Sequence, residues 1–212
     1  MHSSGSVYFE RIFADLERYG LLLESDSALP SVALAVTGGP IRGSWWGHPQ
    51  GNDIYQVTRC LKEHPDVTLV KLVSGKDTYI HRRLWPALLA VGCAAVPWQL
   101  TGLSPLAQRI LDAVAENGEL FTNEIPHTGR IKPGDAAREL ERRLLVHAEQ
   151  IHTSLGAHSK LLQTWQRWAE RAGLSPTSIS SAEGKKALEE AVGAMKVDAG
   201  ADAPLPWTWS AG

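Results

Sequence analysis

The densest set of residues able to contact an anion lies between positions 132 and 143, where Lys132, Arg138, Arg142 and Arg143 occupy the outward positions of a short segment. Guanidinium and ammonium groups on one helical face bind phosphate oxygens. An arginine can also read a guanine edge through two parallel hydrogen bonds. Asp135, Glu139 and Glu141 are interleaved with them, so the same segment also reads as a solvated face with a Glu139–Arg143 pair. Lys160, together with His152 and His158, adds to this group from a neighbouring segment, although the stretch SLGAH between them carries no Lys or Arg.

A second group surrounds the Gly/Pro-dense stretch GGPIRGSWWGHPQG (38–51). Gly38 and Gly43 have a phosphate-loop gap, but Ser44 stands where the lysine is required, so a P-loop is excluded. The stretch instead reads as a turn presenting Arg42, Trp45, Trp46 and His48, with one tryptophan packed in the core. His81, Arg82 and Arg83, with Arg42 and Lys71, are the one candidate basic cluster of this half, and His48 and His81 read as structural histidines.

No catalytic motif emerges. The elbow G-x-S-x-G is absent, and Leu69 stands where a metal nuclease needs an acid ahead of Lys71. His147 and His152 have opposite strand parity, so no metal site is expected, and no cofactor is implied. Cys60 and Cys93 lack CxxC spacing and read as buried thiols, which suits a reducing, cytoplasmic setting.

Charge is balanced over most of the chain, and residues 175–212 carry three basic and five acidic side chains. Residues 1–103 and 104–174 each carry nine basic and nine acidic side chains, so neither half is a strongly basic, salt-driven polyanion binder. No apolar run is long enough to span a bilayer, and the N-terminus lacks the pattern of a signal peptide.

The elements that must position these residues follow from periodicity. An amphipathic helix is predicted over 7–23, a buried strand over SVALAV (31–36), and a helix capped by Asn52 that closes near His64-Pro65. A hairpin joins 67–73 to 78–82, and Trp85-Pro86 opens a short helix that stops at Gly92. The first 103 residues therefore read as an α-β-α-β-β-α unit.

Ser104-Pro105 starts a second unit, 104–174, whose first helix stops at Gly118. Short turns capped by Thr122 follow, then a third helix from Lys132-Pro133 across 132–147, then a hairpin pairing 144–153 with 159–165. Helix, short helix, helix and hairpin is the winged-helix order. Residues 175–212 supply a last helix and a tail with Trp207 and Trp209 that is expected to dock on the body. The fold class expected is α+β, with the N-terminal unit packed on a winged-helix unit.

The stretches SPLAQRILDAVAENGELFTNEI, DAARELERRLLVHAEQIHT and GAHSKLLQTWQRWAE resemble bacterial winged-helix proteins related to the AlkZ-type DNA glycosylases. GSWWGHP-x-G and the C-terminal LPW resemble a bacterial family tied to that group. The resemblance implies winged-helix architecture and a DNA-related role. It does not carry catalysis: the Gln-x-Gln pair of those glycosylases is missing, since Gln163 and Gln166 are wrongly spaced, and one winged-helix unit is read where they have two in tandem.

The expected function is DNA binding, or an accessory role in DNA repair, with double-stranded DNA as partner. The alternatives are a glycosylase-like enzyme with a cleft near 42–48 and 81–83, and a protein-interaction module on a winged-helix scaffold.

Overall fold

Gly20 decides where the first helix ends. Helix α1 (Ser4–Tyr19) closes when Gly20 adopts φ +81° and donates its N–H to the Leu16 carbonyl at 2.7 Å. A Cβ at residue 20 would lie 2.7 Å from Leu84 Cδ1, so both the left-handed backbone and the space require glycine. Leu21–Leu23, predicted to finish the helix, form strand β1 instead. The structure describes residues 4–126, 130–152, 158–175 and 178–209 of this computed structural model.

The predicted strand 31–36 is helical. Ser31 accepts the Leu34 N–H on its hydroxyl at 3.2 Å, and Gly38 closes the far end at φ +71°, so α2 (Val32–Thr37) is bracketed by its caps. A short apolar run does not distinguish strand from buried helix, and here the caps decide. Only Ser31 bridges to Leu23.

Helix α3 (Gly51–Glu63) starts after Gln50 and not at Asn52, and ends before His64. Strands β2 (Val67–Lys71) and β3 (Asp77–His81) form the predicted hairpin, turning where Ser74 and Gly75 both have positive φ. The sheet is antiparallel in order β1-β3-β2. Ile12 and Leu16 of α1, Val36 of α2, and Ile54, Val57 and Leu61 of α3 meet Leu22, Val67 and Tyr79 of the sheet in one core.

The chain divides into two units, 1–85 with 186–212, and 86–185. The second contains α4 from Pro86 onward (Trp85–Gly92), α5 (Pro97–Leu100) and α6 (Pro105–Asn117), the last with Ser104 as cap and Gly118 as left-handed stop, as predicted. A strand not foreseen, β4 (Glu119–Phe121), precedes a 3₁₀ turn at Thr122–Glu124. Helix α7 (Pro133–Arg142) is shorter than predicted because Leu144 turns left-handed at φ +52°. Strands β5 (His147–His152) and β6 (His158–Gln163) follow, then α8 (Trp165–Arg171), and the sheet order is β4-β6-β5. The hairpin tip, 153–157, lies outside the described residues, as do the side chains of His152 and His158.

Both sheets thus share one topology. In each unit a helix leads to a strand, a further helix leads to a hairpin, and the first strand pairs with the hairpin's second. The protein is α+β, with two small antiparallel three-stranded sheets among the described residues.

The last helix, α9 (Ser181–Ala199), carries the chain back into the first unit. There Asp198 accepts hydrogen bonds from Tyr19 at 2.6 Å and Arg18 at 2.8 Å, and the Ser74 N–H donates to the Pro204 carbonyl at 2.8 Å. The tail docks through buried Ala203, Leu205 and Pro206, whereas Trp209 stays exposed. Cys93 is exposed and Cys60 half-buried, so the expectation of two buried thiols fails. Among the described residues no helix is long and apolar enough to cross a membrane.

Candidate nucleic-acid interface

Helix α7 buries Ala136, Ala137, Leu140 and Glu141 and turns its other side to solvent. Lys132, Asp135, Arg138 and Arg142, spaced three or four residues apart, form the exposed stripe. Arg138 pairs with Asp135 at 3.0 Å. Lys132 and Arg142 make no ion pair among the described residues.

The other two acids of α7 are turned away from this stripe. Glu141 is buried and forms a salt bridge with Lys160, so Lys160 neutralises an internal carboxylate and is not a free cation. Glu139 accepts the Ser104 N–H at 3.0 Å and lies 3.8 Å from Arg143. Arg143 donates to the Gln99 carbonyl at 3.2 Å and the Thr101 carbonyl at 2.6 Å, which assigns it to holding the end of α7 against α5. Sequence counting balances acids and bases here. The fold instead sorts them, leaving three cations and one carboxylate on the outer stripe.

That end of α7 rests on residues the sequence did not single out. Gln99 is fully buried. Its amide donates to the carbonyls of Val91, Arg143 and Leu144, and its oxygen accepts from the Val96 N–H. The Trp165 indole N–H donates to the Leu144 carbonyl at 2.7 Å. Trp165 also fills the space over Gly92, where a Cβ would come within 2.4 Å of the ring. A glutamine and a tryptophan thus satisfy the backbone groups of a left-handed turn that ends the helix.

His147 is buried beside them, stacked on Trp168 at 4.9 Å and edge-on to Trp165 at 5.7 Å. Burial, reinforced by the Arg171 charge, lowers its pKa to about 3. Among the described residues no group of three or more metal-ligating side chains exists.

In the first unit Trp45 is buried and Trp46 is 67% exposed, the two rings stacked at 4.1 Å and 21°. The turn is fixed: Ser44 Oγ accepts the Trp46 N–H, the His48 N–H donates to the Trp45 carbonyl, and Gln50 donates to the Val36 carbonyl. His48 Nδ1 accepts the Gln50 N–H at 3.2 Å, and His81 Nδ1 accepts the Arg83 N–H at 3.5 Å. Burial lowers the His81 pKa, the nearby acids Glu17 and Asp66 acting against that shift.

Three of the cations expected around His81 have local partners. Arg82 pairs with Asp66 and Lys71 with Asp77, each at 2.8 Å, and Arg83 donates to the Arg18 carbonyl. Arg42 is exposed. Among the described residues no hydrogen bond, ion pair or ring contact joins Trp45, Trp46 or His48 to His81 or Arg82. Tyr55, which escaped the sequence reading because it lies off the apolar face of α3, is exposed and 5.9 Å from Trp46.

No family model, curated protein or solved structure matches this chain.

Proposed function

We propose that residues 104–174 form a winged-helix unit that binds double-stranded DNA through the outer side of α7, as a DNA-binding or repair-accessory protein. The observation that carries this reading is the sorting of charge on α7, with Glu139 and Glu141 turned inward and Lys132, Arg138 and Arg142 outward. The element order and the sheet order β4-β6-β5 support the winged-helix assignment, in which the helix before the hairpin enters the major groove.

A second reading is a protein-interaction module on the same scaffold. The Arg138–Asp135 pair and the internal use of Arg143 and Lys160 favour it, because they shorten the list of cations left for phosphate.

One titration separates the two. Fluorescence anisotropy with a labelled duplex, repeated across a salt series, should show log affinity falling linearly with log salt. A Lys132→Ala/Arg142→Ala double variant should weaken binding and make that slope shallower by roughly 2. Arg143→Ala should leave the slope alone. Absence of duplex binding at low salt eliminates the DNA reading and leaves the interaction module.

A further inference from the structure

The first unit carries its own exposed aromatic surface, which the α7 reading does not use. Trp46 leans one face on buried Trp45 and is 67% exposed; Tyr55, 43% exposed, stands at 5.9 Å and 43° to it. Large exposed aromatics that are rigidly held need a reason. The rigidity is explicit, because Trp45 belongs to the core, Ser44 and His48 close the turn internally, the Gln50 amide donates to the Val36 carbonyl of α2, and the Gly51 N–H of α3 donates to the His48 carbonyl. A ring fixed in advance loses little entropy when a flat partner stacks on it.

The charges around this shelf choose the partner. Arg59 lies one helical turn beyond Tyr55 on α3, and Arg42 lies four residues before Trp46 in the same loop; both are exposed. Neither makes an ion pair among the described residues. Of the acids of α3, Asp53 is two residues from Tyr55 and so points to a different side of the helix, and Glu63, four residues beyond Arg59, makes no ion pair with it among the described residues. An aromatic shelf whose own loop and helix carry exposed arginines outside any ion pair among the described residues fits a flat ring that carries an anionic backbone.

We propose that Trp46 and Tyr55 stack an unpaired nucleobase of single-stranded nucleic acid, with Arg59 and Arg42 meeting its phosphates. A proline-rich peptide could also lie on two aromatic rings, but it offers no anion to the guanidinium groups. This surface stands independently of α7.

The test uses the full chain and a labelled ten-residue oligothymidylate. Trp46→Ala should weaken its binding at least about fivefold and Tyr55→Ala by a smaller factor, whereas Trp46→Phe should stay close to wild type. Arg59→Ala should flatten the salt dependence of that binding. An abasic strand of equal length should bind about as weakly as the oligothymidylate binds to Trp46→Ala. Both alanine changes are at exposed positions, and circular dichroism checks that they fold. The proposal is overturned by equal binding of the abasic strand, by unchanged affinity in Trp46→Ala, by no oligothymidylate binding at low salt, or by tighter Trp46-dependent capture of a proline-rich peptide. The Lys132→Ala/Arg142→Ala variant separates this surface from α7, since loss of duplex binding there should leave the Trp46-dependent difference intact.

Discussion

Helices α3 and α7 hold the same place in two units of the same topology, yet they present different side chains to solvent. Each precedes a hairpin and rests an apolar ridge on its own core: Ile54, Val57 and Leu61 in one, Ala136, Ala137 and Leu140 in the other. Outward, α7 shows Lys132, Arg138 and Arg142, whereas α3 shows Tyr55 and Arg59 beside the Trp45–Trp46 stack. The supports differ as well. Helix α3 starts at Gln50 without a side-chain cap, its Gly51 N–H donating to the His48 carbonyl just after the 3₁₀ turn Trp45–Gly47, while the end of α7 is made by a left-handed Leu144 whose carbonyl is met by Gln99 and Trp165. One frame can therefore be specialised by what fixes its helix ends and by which side chains lie off the buried ridge.

The sharpest way to break this comparison is to remove the support peculiar to the second unit. Trp165 is almost completely buried, and Trp165→Ala deletes both its packing over Gly92 and its bond to the Leu144 carbonyl. A loss of about 3–5 kcal/mol is expected in denaturant unfolding. Trp46→Ala, at an exposed aromatic of the first unit, should cost less than about 1 kcal/mol. Equal costs for the two would mean that Trp165 and Trp46 play the same structural part.

Acid tests the same contrast at the next scale. His147 is held neutral, its pKa lowered to about 3 by burial. The unfolded chain binds that proton near the ordinary histidine value of about 6.5, so below it the unfolded state gains protons that the folded state refuses. Stability is therefore retained above about pH 6.5, falls as pH drops, and levels off near the folded value, a loss on the order of a few kcal/mol. His147→Phe, which keeps a ring against Trp168, should flatten the stability profile between about pH 6.5 and 4. An unchanged profile would show that His147 is not the group responsible.

Much of this architecture was legible because capping and turn chemistry are local. Ser104-Pro105 and Gly118 bracket α6, and the turn at Ser74-Gly75 marks the first hairpin. Ser31 and Gly38 carried a cap signal too, but a six-residue apolar run satisfies a strand reading equally well. The three-residue strands Leu21–Leu23 and Glu119–Phe121 are too short to show a period and exist only through pairing with a distant partner. At the candidate interface the residue types were legible and their partners were not. Arg143 and Lys160 looked like surface cations, but the carbonyls of Gln99 and Thr101 and the buried Glu141 claim them across long stretches of sequence. Gln99 offered no signal at all, since an isolated glutamine after Pro97 reveals nothing of the carbonyls it will meet.

The smallest expected effect isolates the outer stripe of α7 from everything beneath it. Asp135 is exposed, pairs among the described residues with Arg138 alone across one turn, and is the one carboxylate on the stripe of Lys132, Arg138 and Arg142. Asp135→Asn removes that charge with little change in shape, and loss of an exposed pair of this kind should move stability by less than about 0.5 kcal/mol. If phosphates face this stripe, the change releases Arg138 and removes a repulsion, so duplex affinity should rise a few-fold at low salt and the gain should shrink as salt screens it. The equivalent change on the other helix, Asp53→Asn, should leave duplex affinity where it was. A gain from Asp53→Asn, or none from Asp135→Asn, would place the electrostatic contact on the wrong helix for the proposal.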